Sequence, residues 1–281
     1  MSGGARLTRF DRDGLTFTVR DTGPIDGPVV IALHGFPQTG ACWDAVAPLL
    51  TRAGYRVLAP DQRGYSPGAR PRGVRAYATA ELIADVLALA DAASAPRFHL
   101  LGHDWGAAVS WALAGRHADR VATLTAVSVP HPAAMRAAML HGQALRSWYM
   151  AAFQVPVLPE LLLRAGGGVL AWRLLAGTGM PDVASGVRLL VDPATATPLL
   201  DWYRAIRLPG QPGVPRSRVP TLFVWSDRDT AIGRRAAEGA AALVRAPYRF
   251  AVLRRASHWI PEERPEELAG LVLEHLGARS G

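Results

Sequence analysis

Gly102-His103-Asp104-Trp105-Gly106 is the stretch whose reading decides the fold. It follows a short apolar run, Phe98-His99-Leu100-Leu101, and opens an Ala-rich helical run from Ala107 to Arg116. A strand, a sharp turn and a helix, with glycine on both sides of the exposed residue, is the layout of a nucleophile elbow. The glycines are required because the turn strains the backbone and crowds the helix against the strand. Read alone, the pentapeptide also fits a helix N-cap after a strand. As an elbow it carries Asp where Ser is usual, and that changes the chemistry. A serine forms an acyl-enzyme from an ester. A carboxylate attacks an sp3 carbon and forms an alkyl ester, which suits opening an epoxide or displacing a halide.

Outward from the elbow, short apolar runs alternate with helical stretches, the pattern of βα units in a mostly parallel sheet flanked by helices. Phe10 to Arg20 reads as strands meeting at Asp13-Gly14. Val29 to Leu33 is continuously apolar, as in a strand buried on both faces. The pattern predicts a helix over about 41–52, a strand at Tyr55 to Ala59, a helix over 78–93 and a strand at Val121 to Val129. After Pro130-His131-Pro132 the rhythm breaks, and it resumes at Thr221-Leu222-Phe223-Val224-Trp225. A strand at Tyr248 to Leu253 and a final helix from Glu262 close the chain. The expected organisation is a core of residues 1–132 and 218–281, interrupted by a helical lid at 133–217. An insertion of that length between two sheet strands is a lid rather than a structureless loop.

Composition narrows the function classes. At 281 residues and 49% hydrophobic, the chain suits one α/β domain with an insertion. No run approaches the roughly 20 apolar residues of a membrane span. Met1 to Thr8 lacks the apolar segment of a secretory signal. The single cysteine, Cys42, fits a reducing compartment, so a cytoplasmic location is expected. The formal charge is +8 and every basic residue is Arg, but the arginines are scattered, in pairs at most. Nucleic-acid binding needs clustered charge and is not expected. His99 and His103 lack metal-ligating partners in a recognisable spacing, and no phosphate loop or dinucleotide fingerprint occurs, so no cofactor or metal is expected. Oligomeric state is left open.

A nucleophilic Asp104 needs a base to activate water, an acid to orient that base, and donors for an oxyanion. His258, just after the last strand, is the candidate base, since active sites of open parallel sheets lie beyond the strand C-termini. Two aspartates follow strand Thr221–Trp225. Asp229 lies deeper in the loop and is favoured as the acid; Asp227 is the alternative. Backbone N–H groups of Trp105 and of Phe36, in the loop His34-Gly35-Phe36-Pro37, are the oxyanion donors. In the lid, Tyr149 and Tyr203 could stabilise an alkoxide leaving group, although a tyrosine read bare is as well explained by packing. Trp148 and Phe153 are candidate substrate contacts. Together with Met150, Leu161–Leu163 and Trp172 they suggest a lipophilic substrate.

With these residues in hand, nearly the whole chain resembles an α/β-hydrolase and, within that superfamily, a soluble epoxide hydrolase. Members carry an H-G-F/W-P loop, a G-H-D-W-G elbow, a late acid and a late histidine. His34–Pro37, Gly102–Gly106, Asp229 and His258 match them. Members also place one tyrosine before an F-Q-x-P segment and another in a W-Y-R segment. Tyr149 precedes Phe153-Gln154-Val155-Pro156, and Tyr203 lies in Trp202-Tyr203-Arg204. The resemblance implies a proton-donating role for both tyrosines, and conversion of an epoxide and water to a vicinal diol through an aspartyl ester.

Some residues depart from the pattern. Ser226-Asp227-Arg228-Asp229 replaces the family's Gly-Glu-Lys-type turn, and Ser66-Pro67-Gly68 follows Asp61-Gln62-Arg63-Gly64-Tyr65 in place of G-x-S. A haloalkane or haloacid dehalogenase would use the same triad. Fluoroacetate dehalogenases, however, carry arginines where Trp105 and Ala108 stand, and haloalkane dehalogenases usually have Asn in place of Phe36. An ester hydrolase would need Ser or Cys at the elbow. A non-catalytic ligand-binding homologue would have no need of Asp104, Asp229 and His258 together.

Overall fold

Asp13 and Gly14 both adopt left-handed backbone, φ 49° and 76°, and make the tight turn between β1 (Arg9–Arg12) and β2 (Leu15–Thr22). This antiparallel hairpin joins the sheet edge through β4 (Arg56–Pro60), also antiparallel to β2. Every other pairing is parallel: β3 (Val29–Leu33), β5 (Phe98–His103), β6 (Val121–Val127), β7 (Thr221–Ser226) and β8 (Tyr248–Leu253). The strand order is β1-β2-β4-β3-β5-β6-β7-β8. A computed structural model provides this description for residues 5–277.

Strand alternation separates two cores. Ile31 and Leu33 join the side chains of α2 (Thr79–Ala92) and α3 (Trp105–Arg116) on one face. Val30 and Ala32 join α1 (Ala47–Arg52) and the helix Pro265–Gly277 on the other. All five residues of β3 are buried, as a central strand covered on both sides requires.

Prolines correct two expectations. The helix expected over 41–52 is a 3-10 turn, Gly40–Trp43, followed by the separate helix α1. Pro48 has no N–H to donate back and so restarts the helix instead of continuing it. Likewise the C-terminal helical region splits into Ile260–Glu263 and Pro265–Gly277 at Pro265.

Between β6 and β7 the described chain is helical: Pro132–Ala138, Gln143–Arg146, Trp148–Ala152, Leu158–Gly177, Val183–Val191 and Pro193–Ala205, with one 3-10 turn at Met139–His141. Leu158–Gly177 is two helices joined at a break. Gly166, Gly167 and Gly168 are left-handed there, which only glycine adopts freely in series.

The helix Pro193–Ala205 is tied to the core through the loop after β4. Trp202 Nε1 donates to the Arg63 carbonyl at 2.9 Å, and Pro198 packs on Gly64. Arg63 is itself held by Asp85 of α2 through two bonds of 2.7 and 2.6 Å, and Asp85 also receives Arg12 at 2.8 Å. Arg63 and Asp85 are both buried. Removing Asp85 leaves the buried Arg63 with only the longer contact to Glu81 at 3.7 Å. Asp85→Ala is expected to cost about 3–5 kcal/mol in chemical denaturation; a loss below about 1 kcal/mol would show that this pair does not anchor the loop.

Candidate active site

Asp104 lies between β5 and α3 with φ 52° and ψ −117°, a conformation costly for any residue with a side chain. Its neighbours make the turn possible. A methyl at Gly102 would collide with the Gly106 carbonyl and Ser110, and one at Gly106 would collide with the Leu33 carbonyl. Helix α3 thus lies against β3 at backbone distance, and Asp104 projects from the C-terminal edge of the sheet.

The loop after β3 meets it there. Phe36 N–H donates to Asp104 Oδ1 at 2.8 Å. Gly35 permits this approach, because a Cβ there would overlap the Asp104 side chain. His34 braces the loop from inside. Its Nδ1 donates to the Gly35 carbonyl at 2.9 Å, and its Nε2 accepts the Gln62 N–H at 3.0 Å. That pairing requires neutral imidazole, and burial pulls the His34 pKa down to about 4. Trp105 is the first residue of α3, so its N–H has no partner within the helix.

The other Asp104 oxygen, Oδ2, lies 3.4 Å from His258 Nε2. His258 Nδ1 lies 2.8 Å from Asp229 Oδ2. Asp229 Oδ1 accepts the N–H groups of Ala231 and Ile232 at 2.7 and 2.8 Å, which aims the carboxylate at the imidazole. Asp227 is exposed and accepts the Arg255 N–H at 2.6 Å, away from His258. The geometry therefore pairs His258 with Asp229, not Asp227.

Burial alone would lower the His258 pKa. The charges and hydrogen bonds of Asp229 and Asp104 outweigh it and push the pKa up to about 10. Burial likewise opposes ionisation of Asp104, but the His258 hydrogen bond and charge, with His103 and the Phe36 N–H, hold its pKa below the usual value. The contacts on both ring nitrogens thus favour the protonated over the neutral imidazole.

Two aromatic side chains from the helical insertion roof the carboxylate. Tyr203 packs edge-on to Phe36, Trp105 and Phe153 with centroids 5.1, 5.0 and 5.1 Å away, and Tyr149 lies 5.9 Å from Tyr203. Burial raises the Tyr149 phenol pKa first, then the Asp104 and Asp229 charges; Tyr203 is raised by burial, Tyr149 and Asp104. Both hydroxyls keep their protons at neutral pH. Asp104, His258, Tyr149, Tyr203, Phe36 and Phe153 face one cavity of about 370 Å3. That is within the usual size for a small-molecule site.

The expected apolar contacts divide. Trp148, Phe153 and Leu163 line the cavity. Leu161, Leu162 and Trp172 instead face solvent, 55%, 47% and 50% exposed, and Met150 packs on the core. Helical spacing shows that a helix has an apolar stripe but not which way the stripe faces.

His103, quoted within the elbow but given no role, donates from Nε2 to the His258 carbonyl at 2.9 Å; Ser128 adds a second bond at 2.7 Å. Together they fix the backbone that carries the imidazole. Trp259 and Pro37 also line the cavity. Adjacency to His258 is the sequence signal for Trp259, and the His34–Pro37 loop pattern that for Pro37.

Comparison with known proteins identifies the family. A family model described as alpha/beta hydrolase fold matches residues 28–265. The AB hydrolase superfamily protein YfhM of Bacillus subtilis is 32% identical over 97% of this chain and 98% of its own length. Epoxide hydrolase A of Mycobacterium tuberculosis is 33% identical over 95% of each. The crystal structure of epoxide hydrolase A from Mycobacterium thermoresistibile superposes with a TM-score of 0.84 at 27% identity, covering 97% of this chain and 98% of that one. By the extent of these likenesses the chain belongs to the α/β-hydrolase fold family and, within it, to the epoxide hydrolases.

Proposed function

We propose that this protein hydrolyses a lipophilic epoxide to a vicinal diol through an ester on Asp104. The observation that carries this reading is the division of labour between the two Asp104 oxygens. Oδ1 accepts the Phe36 N–H, and Oδ2 is turned toward His258, beneath two protonated tyrosines. Residues 133–217 act as a lid on a core of 1–132 and 218–281, since Tyr149, Phe153 and Tyr203 come from that segment and pack over Phe36.

In the first step Oδ2 attacks a ring carbon. The carbon–oxygen bond of the epoxide breaks, and its electron pair goes to the ring oxygen. Tyr149 and Tyr203 hydrogen-bond that oxygen and supply its proton. Oδ1 becomes the ester carbonyl, already at a backbone N–H. Esterification removes the Asp104 charge that supported the high His258 pKa, so the imidazole releases its proton more readily, and that proton restores the tyrosine that gave up its own. Neutral His258, oriented by Asp229, takes a proton from water as the oxygen adds to the ester carbonyl. The oxyanion forms on Oδ1 and is held by the N–H groups of Phe36 and Trp105. Its collapse breaks the bond between the ester carbonyl carbon and Oδ2, and the His258 imidazolium gives its proton to Oδ2 as the alcohol leaves. The diol leaves with Oδ2, and Asp104 keeps an oxygen from water. The only reactants are the epoxide and water.

The dehalogenase alternative needs a halide cradle. Trp105, the residue that would supply one, packs its ring on Trp202 and Tyr203 and does not line the cavity.

Three outcomes test this reading. His258→Gln mixed with styrene oxide should accumulate protein heavier by one epoxide, by intact-mass spectrometry, and Asp104→Ala should abolish the adduct. An adduct with an alkyl halide and none with epoxides would transfer the assignment to dehalogenation. Removing both hydroxyls in Tyr149→Phe/Tyr203→Phe should slow alkylation by about 100-fold or more; undiminished opening would remove the tyrosines from the scheme. In single-turnover kinetics, alkylation should decline only at a pH below that at which an ordinary aspartate protonates, because the Asp104 pKa is lowered. Ester hydrolysis should rise with pH as His258 loses its proton. A hydrolysis rate independent of pH would exclude His258 as the base.

A further inference from the structure

Among the described residues, every exposed large apolar side chain except Ile206 lies between Leu140 and Leu174. Leu145 and Trp148 are 82% and 56% exposed. Leu158, Leu161 and Leu162, spaced on one side of the next helix, are also exposed, as are Leu170 and Trp172 beyond its glycine break. The opposite side of the same helix buries Leu163, Ala171 and Leu175. These helices are therefore apolar on both faces, whereas a solvent-facing helix normally turns polar residues outward. Concentrated exposed apolar surface of this kind marks an interaction site.

The charge on this stretch has one sign. Arg146 and Arg173 are exposed and Arg164 half-exposed. The only acid, Glu160, is buried and paired with Arg204 at 2.8 Å. Trp148, Arg173 and Leu174 are exposed and also line the catalytic cavity, so this face contains its mouth.

We infer that the 140–174 face docks on an anionic lipid surface. Leu and Trp side chains would enter the boundary between headgroups and acyl chains, and the arginines would meet the headgroup phosphates. No helix among the described residues is long and apolar enough to cross a membrane, so the face would lie on the surface. A second copy fits worse, because a two-fold contact would set arginines against arginines and close the mouth. Docking does not depend on the epoxide reading. Its use does: an apolar epoxide dissolved in the bilayer would reach Asp104 without crossing water.

Sedimentation of the full chain with vesicles tests this without any substrate. The protein should pellet with vesicles of phosphatidylcholine and phosphatidylglycerol, bind phosphatidylcholine alone at least about tenfold more weakly, and be released by added sodium chloride. Leu161→Glu/Trp172→Glu, at positions outside the cavity, should lower binding at least about tenfold with unchanged circular dichroism. If that variant misfolds, Leu161→Gln/Trp172→Gln replaces it. Absence of binding to the anionic vesicles, equal binding to the neutral ones, or full binding by a folded variant would overturn the inference. A wild-type dimer that either variant converts to monomer would assign the face to a second copy.

Discussion

A carboxylate carried on a left-handed backbone residue is the constraint on which the site depends. Such a conformation at Asp104 costs about 1–3 kcal/mol and persists only where the surroundings enforce it. The enforcement is steric. Gly106 lets α3 rest on the Leu33 carbonyl, Gly102 leaves room for the first turn of the helix, and Gly35 lets the loop after β3 come against the Asp104 side chain. That loop brings the Phe36 N–H to Oδ1, and His34 and Gln62 secure it from within the core. A side chain at any of the three glycines would separate groups that must touch.

Electrostatics then follow from burial. His258 is buried between two carboxylates, so its proton is held more tightly than in solution. The same arrangement keeps Asp104 ionised despite its burial. In the proposed reaction, alkylation of Asp104 would remove a charge that holds the His258 proton, and so link the two steps.

The helices above the sheet serve two environments. Inward, Tyr149, Phe153 and Tyr203 close over the carboxylate through edge-to-face packing, which orients hydroxyl groups without exposing them fully to water. Outward, the stretch from Leu140 to Leu174 leaves leucine and tryptophan uncovered. The glycine break at 166–168 divides part of that stretch into two short helices.

Local pattern by itself determined the sheet and the elbow. Runs of apolar residues separated by helical stretches specify buried parallel strands, and glycines flanking Asp104 specify a strained turn, because both signals depend on neighbours close in sequence. Chain order placed Asp104, Asp229 and His258 in roles, and the resemblance of the segments around Tyr149 and Tyr203 to the family pattern brought both into view. Only tertiary structure decided between Asp229 and Asp227. Their separation in space depends on N–H groups of the 231–232 turn and on the loop after β8. Tertiary structure alone also turned Leu161, Leu162 and Trp172 outward and Leu163 inward, and brought His103 under a carbonyl 155 residues away. Sequence periodicity records that a face is apolar. Which surface covers that face is set by contacts between segments far apart in the chain.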